Sequence, residues 1–201
     1  MSNIVECRVI RPKDRESAVR ATVEILLDSG IRLANMHLLK PREGRDRDRL
    51  TMPCVKTKTG AVIPAYSPTI QETRQAMLAA AEETLAEAER AGTNDYTKVY
   101  LEMGPESRRV PQFTNLQMHK FPENDNPVRA VFSVMLDKEF SLNRIVVVKD
   151  PETQMLAVRL PRFQFLNGHR TMQYFRLPAD DFETVYAMAM EKYLEREKET
   201  A

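Results

Sequence analysis

Residues 19–40 read VRATVEILLDSGIRLANMHLLK, and residues 128–149 read VRAVFSVMLDKEFSLNRIVVVK. Aligned without a gap, 7 of these 22 columns are identical: Val19/Val128, Arg20/Arg129, Ala21/Ala130, Leu27/Leu136, Asp28/Asp137, Leu33/Leu142 and Lys40/Lys149. Unrelated segments of average composition would share roughly one or two. Seven further columns pair one large apolar residue with another, as Ile25 does with Val134 and Ile31 with Phe140. The offset of 109 nearly persists beyond, where Met52-Pro53 faces Leu160-Pro161 and Gly60 faces Gly168. The chain carries an internal duplication, and that decides the architecture to expect.

Each copy runs through the same order of elements. Val19, Ala21, Val23, Ile25 and Leu27 alternate with Arg20, Thr22 and Glu24, the period of a half-buried strand. Asp28-Ser29-Gly30 supplies a turn, and a second strand follows to about Leu39. In the second copy Val128, Ala130, Phe132, Val134 and Leu136 form the matching stripe, and Asp137-Lys138-Glu139 turns it into a strand ending near Lys149. Shorter strands are expected before each hairpin (3–10 and 113–120) and after it (50–57 and 61–66, then 154–163 and 170–176). VYLEM at 99–103 is a candidate for one more.

A helix is expected to close each copy. Thr69 and Glu72 have capping-box spacing, Ile70, Met77, Ala81, Leu85 and Ala88 follow on one helical face, and Gly92 is a stop signal. Pro178, Asp180 and Asp181 suit the start of the second helix, whose stripe is Phe182, Val185, Tyr186, Ala189 and Tyr193. The expected fold class is therefore α+β, with two similar modules, each a small mostly antiparallel sheet followed by a C-terminal helix. Module 1 spans 1–92, a linker 93–112, and module 2 spans 113–201.

The hairpin with its Arg-Ala and Leu-Asp, the Met-Pro strand, the Gly turn and the terminal helix together resemble the SpoVG family of small bacterial proteins, named for stage V sporulation and septation. The likeness covers roughly 85 residues of each half, most closely VRAVFSVMLDKEFSLNRIVVVKDPETQMLAVRLPR at 128–162. The first copy keeps VRA, LLD and MP but carries a longer charged insertion, PREGRDRDR at 41–49. Family members look like single modules that pair as homodimers and bind DNA, in some cases RNA, to influence gene expression. The resemblance thus implies a fused dimer, an intramolecular pseudo-dimer in which linkage raises the effective concentration of one module around the other. After Met-Pro the family shows a Ser and two adjacent basic residues. Here Cys54-Val55-Lys56-Thr57-Lys58 keeps two cations spaced to share one strand face, while Arg162-Phe163-Gln164-Phe165 has one cation and two aromatics. Contact with nucleic acid is expected at this element in the first half more than in the second.

The net charge over 201 residues is only +1, which excludes a uniformly basic nucleic-acid coat. Its distribution is uneven. Residues 1–60 hold 13 Lys/Arg and 8 Asp/Glu, and 113–177 hold 9 and 6, whereas the helical stretches 61–91 and 178–201 hold 2 against 5 and 3 against 7. Acidic helices disfavour a helix-turn-helix reader, so phosphate binding falls to the strands and their loops. Within this scheme the cations expected to contact DNA, or RNA, are Lys56, Lys58, Arg162 and Arg170, followed by Arg20 and Arg129. Against it, Arg45, Arg47 and Arg49 alternate with Asp46 and Asp48 as a self-neutralising loop would. Lys56 and Lys58 would also serve to guard an edge strand, and Arg20 and Arg129 to line a polar strand face. Phe163, Phe165, Tyr174 and Phe175 suit either base stacking or a buried interface.

Other chemistry finds little support. The six glycines form no phosphate loop, His37, His119 and His169 fall in unrelated contexts, and Cys7 and Cys54 have no partner at zinc-ligand spacing. No nucleophile elbow occurs. The expectation is a non-enzymatic regulator without catalytic residues, metal or other cofactor, acting in the cytoplasm without a membrane partner. Module pairing is expected within the chain, with room for further self-association. The alternative is a protein-interaction module that has lost nucleic-acid binding.

Overall fold

The computed structural model describes residues 2–14, 16–42, 44, 47–57, 60–104, 106–122, 126–164 and 171–198. The first half supplies β1 (Ile4–Ile10), β2 (Val19–Leu27), β3 (Arg32–Leu39), β4 (Arg49–Thr51), β5 (Cys54–Lys56), β6 (Val62–Pro64), β7 (Tyr66–Pro68) and α1 (Gln71–Arg90). After β8 (Asp95–Val99) come β9 (Phe113–Lys120), β10 (Val128–Leu136), β11 (Phe140–Lys149), β12 (Leu156–Arg159), β13 (Arg162–Gln164), β14 (Thr171–Gln173), β15 (Phe175–Arg176) and α2 (Ala179–Lys198). One six-stranded sheet runs β15-β3-β2-β1-β8 with β4 also on β3, and a five-stranded sheet runs β12-β11-β10-β9 with β7 on β11. β5–β6 and β13–β14 are separate two-stranded ribbons.

Two modules, each a sheet followed by its own C-terminal helix and docked as a pseudo-dimer, are not what forms. Four sheets and two helices are described, and only α2 stands at the C-terminus. α1 is internal: the chain leaves it for β8, which returns to pair with β1 (Val9 opposite Tyr96). The halves also exchange strands. β7 pairs with β11 of the second half, Tyr66 opposite Leu142, and β15 pairs with β3 of the first, Phe175 opposite Leu33. Strands of two or three residues bury too little to hold on their own, and docking on the open edge of the other half's sheet satisfies both partners.

The duplication survives in the backbone instead. Register shifts fall at Val19/Ala21 and Val23/Ile25 in β2 and at Val128/Ala130 and Phe132/Val134 in β10. Ala34 N–H donates to Tyr174 O, and its counterpart Asn143 N–H donates to Ala65 O, both at 2.8 Å. The two bonds are reciprocal, made in each direction between equivalent positions of the two copies. At its centre the two repeat counterparts Tyr66 and Phe175, both fully buried, meet edge to face with centroids 6.3 Å apart. The Tyr66 hydroxyl donates to Ala34 O at 2.7 Å.

α1 lies on β1 and β8 and buries Met77, Ala81, Leu85 and Ala88. Its start differs from the expected capping box. Ile70 is the N-cap without a side-chain bond, because Thr69 spends its hydroxyl on Lys138 O (2.8 Å) and its N–H on Glu139 O (2.7 Å). Its end is as expected: Gly92, at φ 68°, and Thr93 donate back to Glu89 O and Ala88 O. α2 packs on β9 and buries Val185, Ala189 and Tyr193. Each large sheet therefore has one helix-covered face and one open face.

The duplicated turns are tied together by Arg109. Its Nε donates to Asp28 Oδ1 at 3.1 Å and its Nη2 to Asp137 Oδ2 at 2.6 Å, while Arg109 N–H donates to Asp28 O. Burial raises the Asp137 carboxyl, but Arg109, Gln112 N–H and Ser2 outweigh it and hold the group below its usual value. A group so depressed contributes stability above its unfolded pKa of about 4 and loses it as pH falls through the folded value. Arg109→Ala leaves two nearly buried aspartates without their cation and is expected to cost about 2 kcal/mol in urea unfolding at pH 7. The cost should shrink on acidification below about pH 4.

Candidate functional site

The open face of the five-stranded sheet is roofed in part by the β5–β6 ribbon. Asn143 Nδ2 donates to Pro64 O at 3.1 Å and holds the ribbon there. Under its edge lies a cleft of about 320 Å³ lined by Val55, Arg144, Val146, Arg159, Pro161 and Arg162, among others. β11 brings Arg144, the end of β12 brings Arg159, and β13 brings Arg162. Arg144 sits at φ 63°, the left-handed bulge position that Asn35 (φ 64°) occupies in the first copy. That bend re-aims the guanidinium toward the ribbon side. Among the described residues no carboxylate forms an ion pair with Arg144, Arg159 or Arg162. The Asp150 carboxyl is held below its usual value first by the N–H groups of Thr153 and Glu152, and Arg159 adds the smallest share from beyond ion-pair distance.

The equivalent place on the six-stranded sheet has a different character. Asn35 stands for Arg144, Thr51 for Arg159 and Cys54 for Arg162. The arginines of that open face are occupied: Glu24 lies 3.7 Å from Arg32, 3.8 Å from Arg8 and 3.9 Å from Arg176, and Arg8 also grips Asp95 with Nε at 2.8 Å. The duplication thus contains its own comparison, one open face neutralised and one left cationic.

The cations singled out in the sequence separate accordingly. Arg162 belongs to the cleft, and exposed Lys56 follows Val55 on the ribbon that roofs it. Arg20 is held by Asp48 and by Glu89 of α1, and Arg129 donates to Asn126 O at 2.9 Å. Lys58 and Arg170 lie outside the described residues, as do His169 and Phe165. Of the aromatics, Phe175 and Tyr174 are buried, and Phe163 packs tilted on Tyr174 at 4.8 Å, so these fill the junction. Sequence reasoning passes over Arg144 and Arg159, although the aligned columns Asn35/Arg144 and Thr51/Arg159 each gain a cation.

No family model, curated protein or solved structure matches the chain. Among the described residues no helix is long and apolar enough to cross a membrane, and no cluster of three or more His, Cys, Asp or Glu is placed to hold a metal ion.

Proposed function

We propose that this chain is a non-enzymatic, SpoVG-like regulator of bacterial type that binds DNA or RNA in the cytoplasm. The observation that supports this reading is the convergence of Arg144, Arg159 and Arg162 on one cleft without a carboxylate at ion-pair distance among the described residues. Arginines cost free energy to gather unless an anion joins them, and their planar forks suit phosphate oxygens. The α1 carboxylates Glu83 and Glu87 are taken up by Lys98 of β8, on the other sheet.

Titration of a labelled DNA, and separately an RNA, at stepped salt concentrations tests it. Three neutralised phosphates predict a log–log slope between about −2 and −3. Failure to bind either polymer at low salt contradicts the proposal. The second reading, a protein-interaction module, draws on exposed Val99, Leu101 and Val110 between the halves. It predicts a co-purifying protein whose retention resists nuclease.

A further inference from the structure

We infer that the arginine cleft is one end of a longer groove that takes a single nucleic-acid strand, phosphates at the arginine end and a base at the end formed by Gln117 and His119. This rests on the nucleic-acid reading above and adds strandedness and polarity to it. A second hollow, of about 370 Å³, crosses the same open face over β9, β10 and β11 and is lined by Gln117, His119, Ser133, Arg144 and Ile63. The two hollows share Arg144, and the ribbon residues that line them, Val55 in one and Ile63 in the other, are paired with each other. Running from β12 to β9, the groove crosses three strand spacings, roughly 14 Å. That length fits a short run of nucleotides and falls well below a duplex turn of roughly 34 Å.

Chemistry changes along the groove. At the β12 end the polar side chains among the described lining residues are the guanidinium groups of Arg144, Arg159 and Arg162. At the β9 end Gln117 and His119 are exposed on the face opposite α2, and His119 stands edge to face with half-exposed Phe121, centroids 5.1 Å apart. An imidazole braced by an aromatic ring is a stacking platform, and a glutamine amide can pair with a base edge. In the sister groove of the first sheet the counterparts of Gln117, His119 and Ser133 are Arg8, Ile10 and Glu24. There the Glu24 carboxylate on the floor repels phosphate, and Arg8, at the position of Gln117, is taken up by Asp95 and Glu24. One strand per chain is the expected stoichiometry.

The test compares a labelled oligothymidylate and its RNA equivalent with a duplex of the same length, using the full chain and the Gln117→Ala/His119→Ala variant. The expected result is single-strand binding at least about tenfold tighter than duplex binding, and about tenfold loss in the variant with an unchanged salt slope. Duplex bound as tightly as single strand, or a variant that binds like the parent, overturns this inference while leaving the nucleic-acid reading in place. No binding to any of the three overturns both.

Discussion

Phe175→Ala is expected to lower the unfolding free energy by about 4 kcal/mol, the cost of deleting a buried ring and leaving a cavity. The corresponding fall in Tm is roughly 12 °C for a chain of this size. The ring is fully buried, meets its repeat counterpart Tyr66 edge to face, and stands on the strand that pairs with β3 of the other half. Because each half completes the other's sheet, the damage should not stay local. Calorimetry and far-ultraviolet dichroism should give one coincident transition for the variant as for the parent. Two separated transitions, or a loss under about 1 kcal/mol, would show that the halves fold independently of the exchanged strands.

Arg144→Asn/Arg159→Thr/Arg162→Gln is expected to weaken nucleic-acid binding about 100-fold at low salt, the equivalent of about 1 kcal/mol per arginine. It should also flatten the salt slope by about one for each phosphate that an arginine no longer neutralises. The first two changes install residues that the first copy already carries at the equivalent places, Asn35 and Thr51. Asparagine tolerates the left-handed backbone at position 144, so stability should stay within about 0.5 kcal/mol. Arg8→Gln, on the neutralised face, is the matched control and should leave binding unchanged. Equal weakening in both would place the phosphate-binding surface elsewhere.

Much of the scaffold is legible in the sequence. Alternation in Val19–Leu27 and Val128–Leu136 marks the two central strands, and their inward residues Ala21, Val23, Ile25, Ala130, Phe132 and Val134 are buried. Gly92 ends α1 through its left-handed backbone. The module architecture is not legible, for a physical reason. Tyr66–Pro68 and Phe175–Arg176 are too short to show a period, and in a duplicated chain the edges of both halves present nearly the same partner. Local sequence is therefore compatible with pairing inside a half or across halves, and only packing decides.

The site is legible in part for a similar reason. Arg162 stands out beside Pro161, whereas Arg144 and Arg159 read as ordinary polar positions on strands. Their significance depends on a ribbon from the other half roofing them and on how far the nearest carboxylates lie, neither of which local sequence around either arginine encodes. The aligned copies do hold a signal: three cations gained at equivalent columns, on the half whose Met-Pro element reads as the weaker binder.

Amide chemical-shift mapping with a short oligonucleotide addresses the cationic groove most directly. Binding there predicts perturbations at Ser133, Asn143, Arg144, Arg159 and Arg162, with Glu24 and Asn35 on the sister face unmoved. Perturbations centred on the sister face, or spread over α1 and α2, would contradict it.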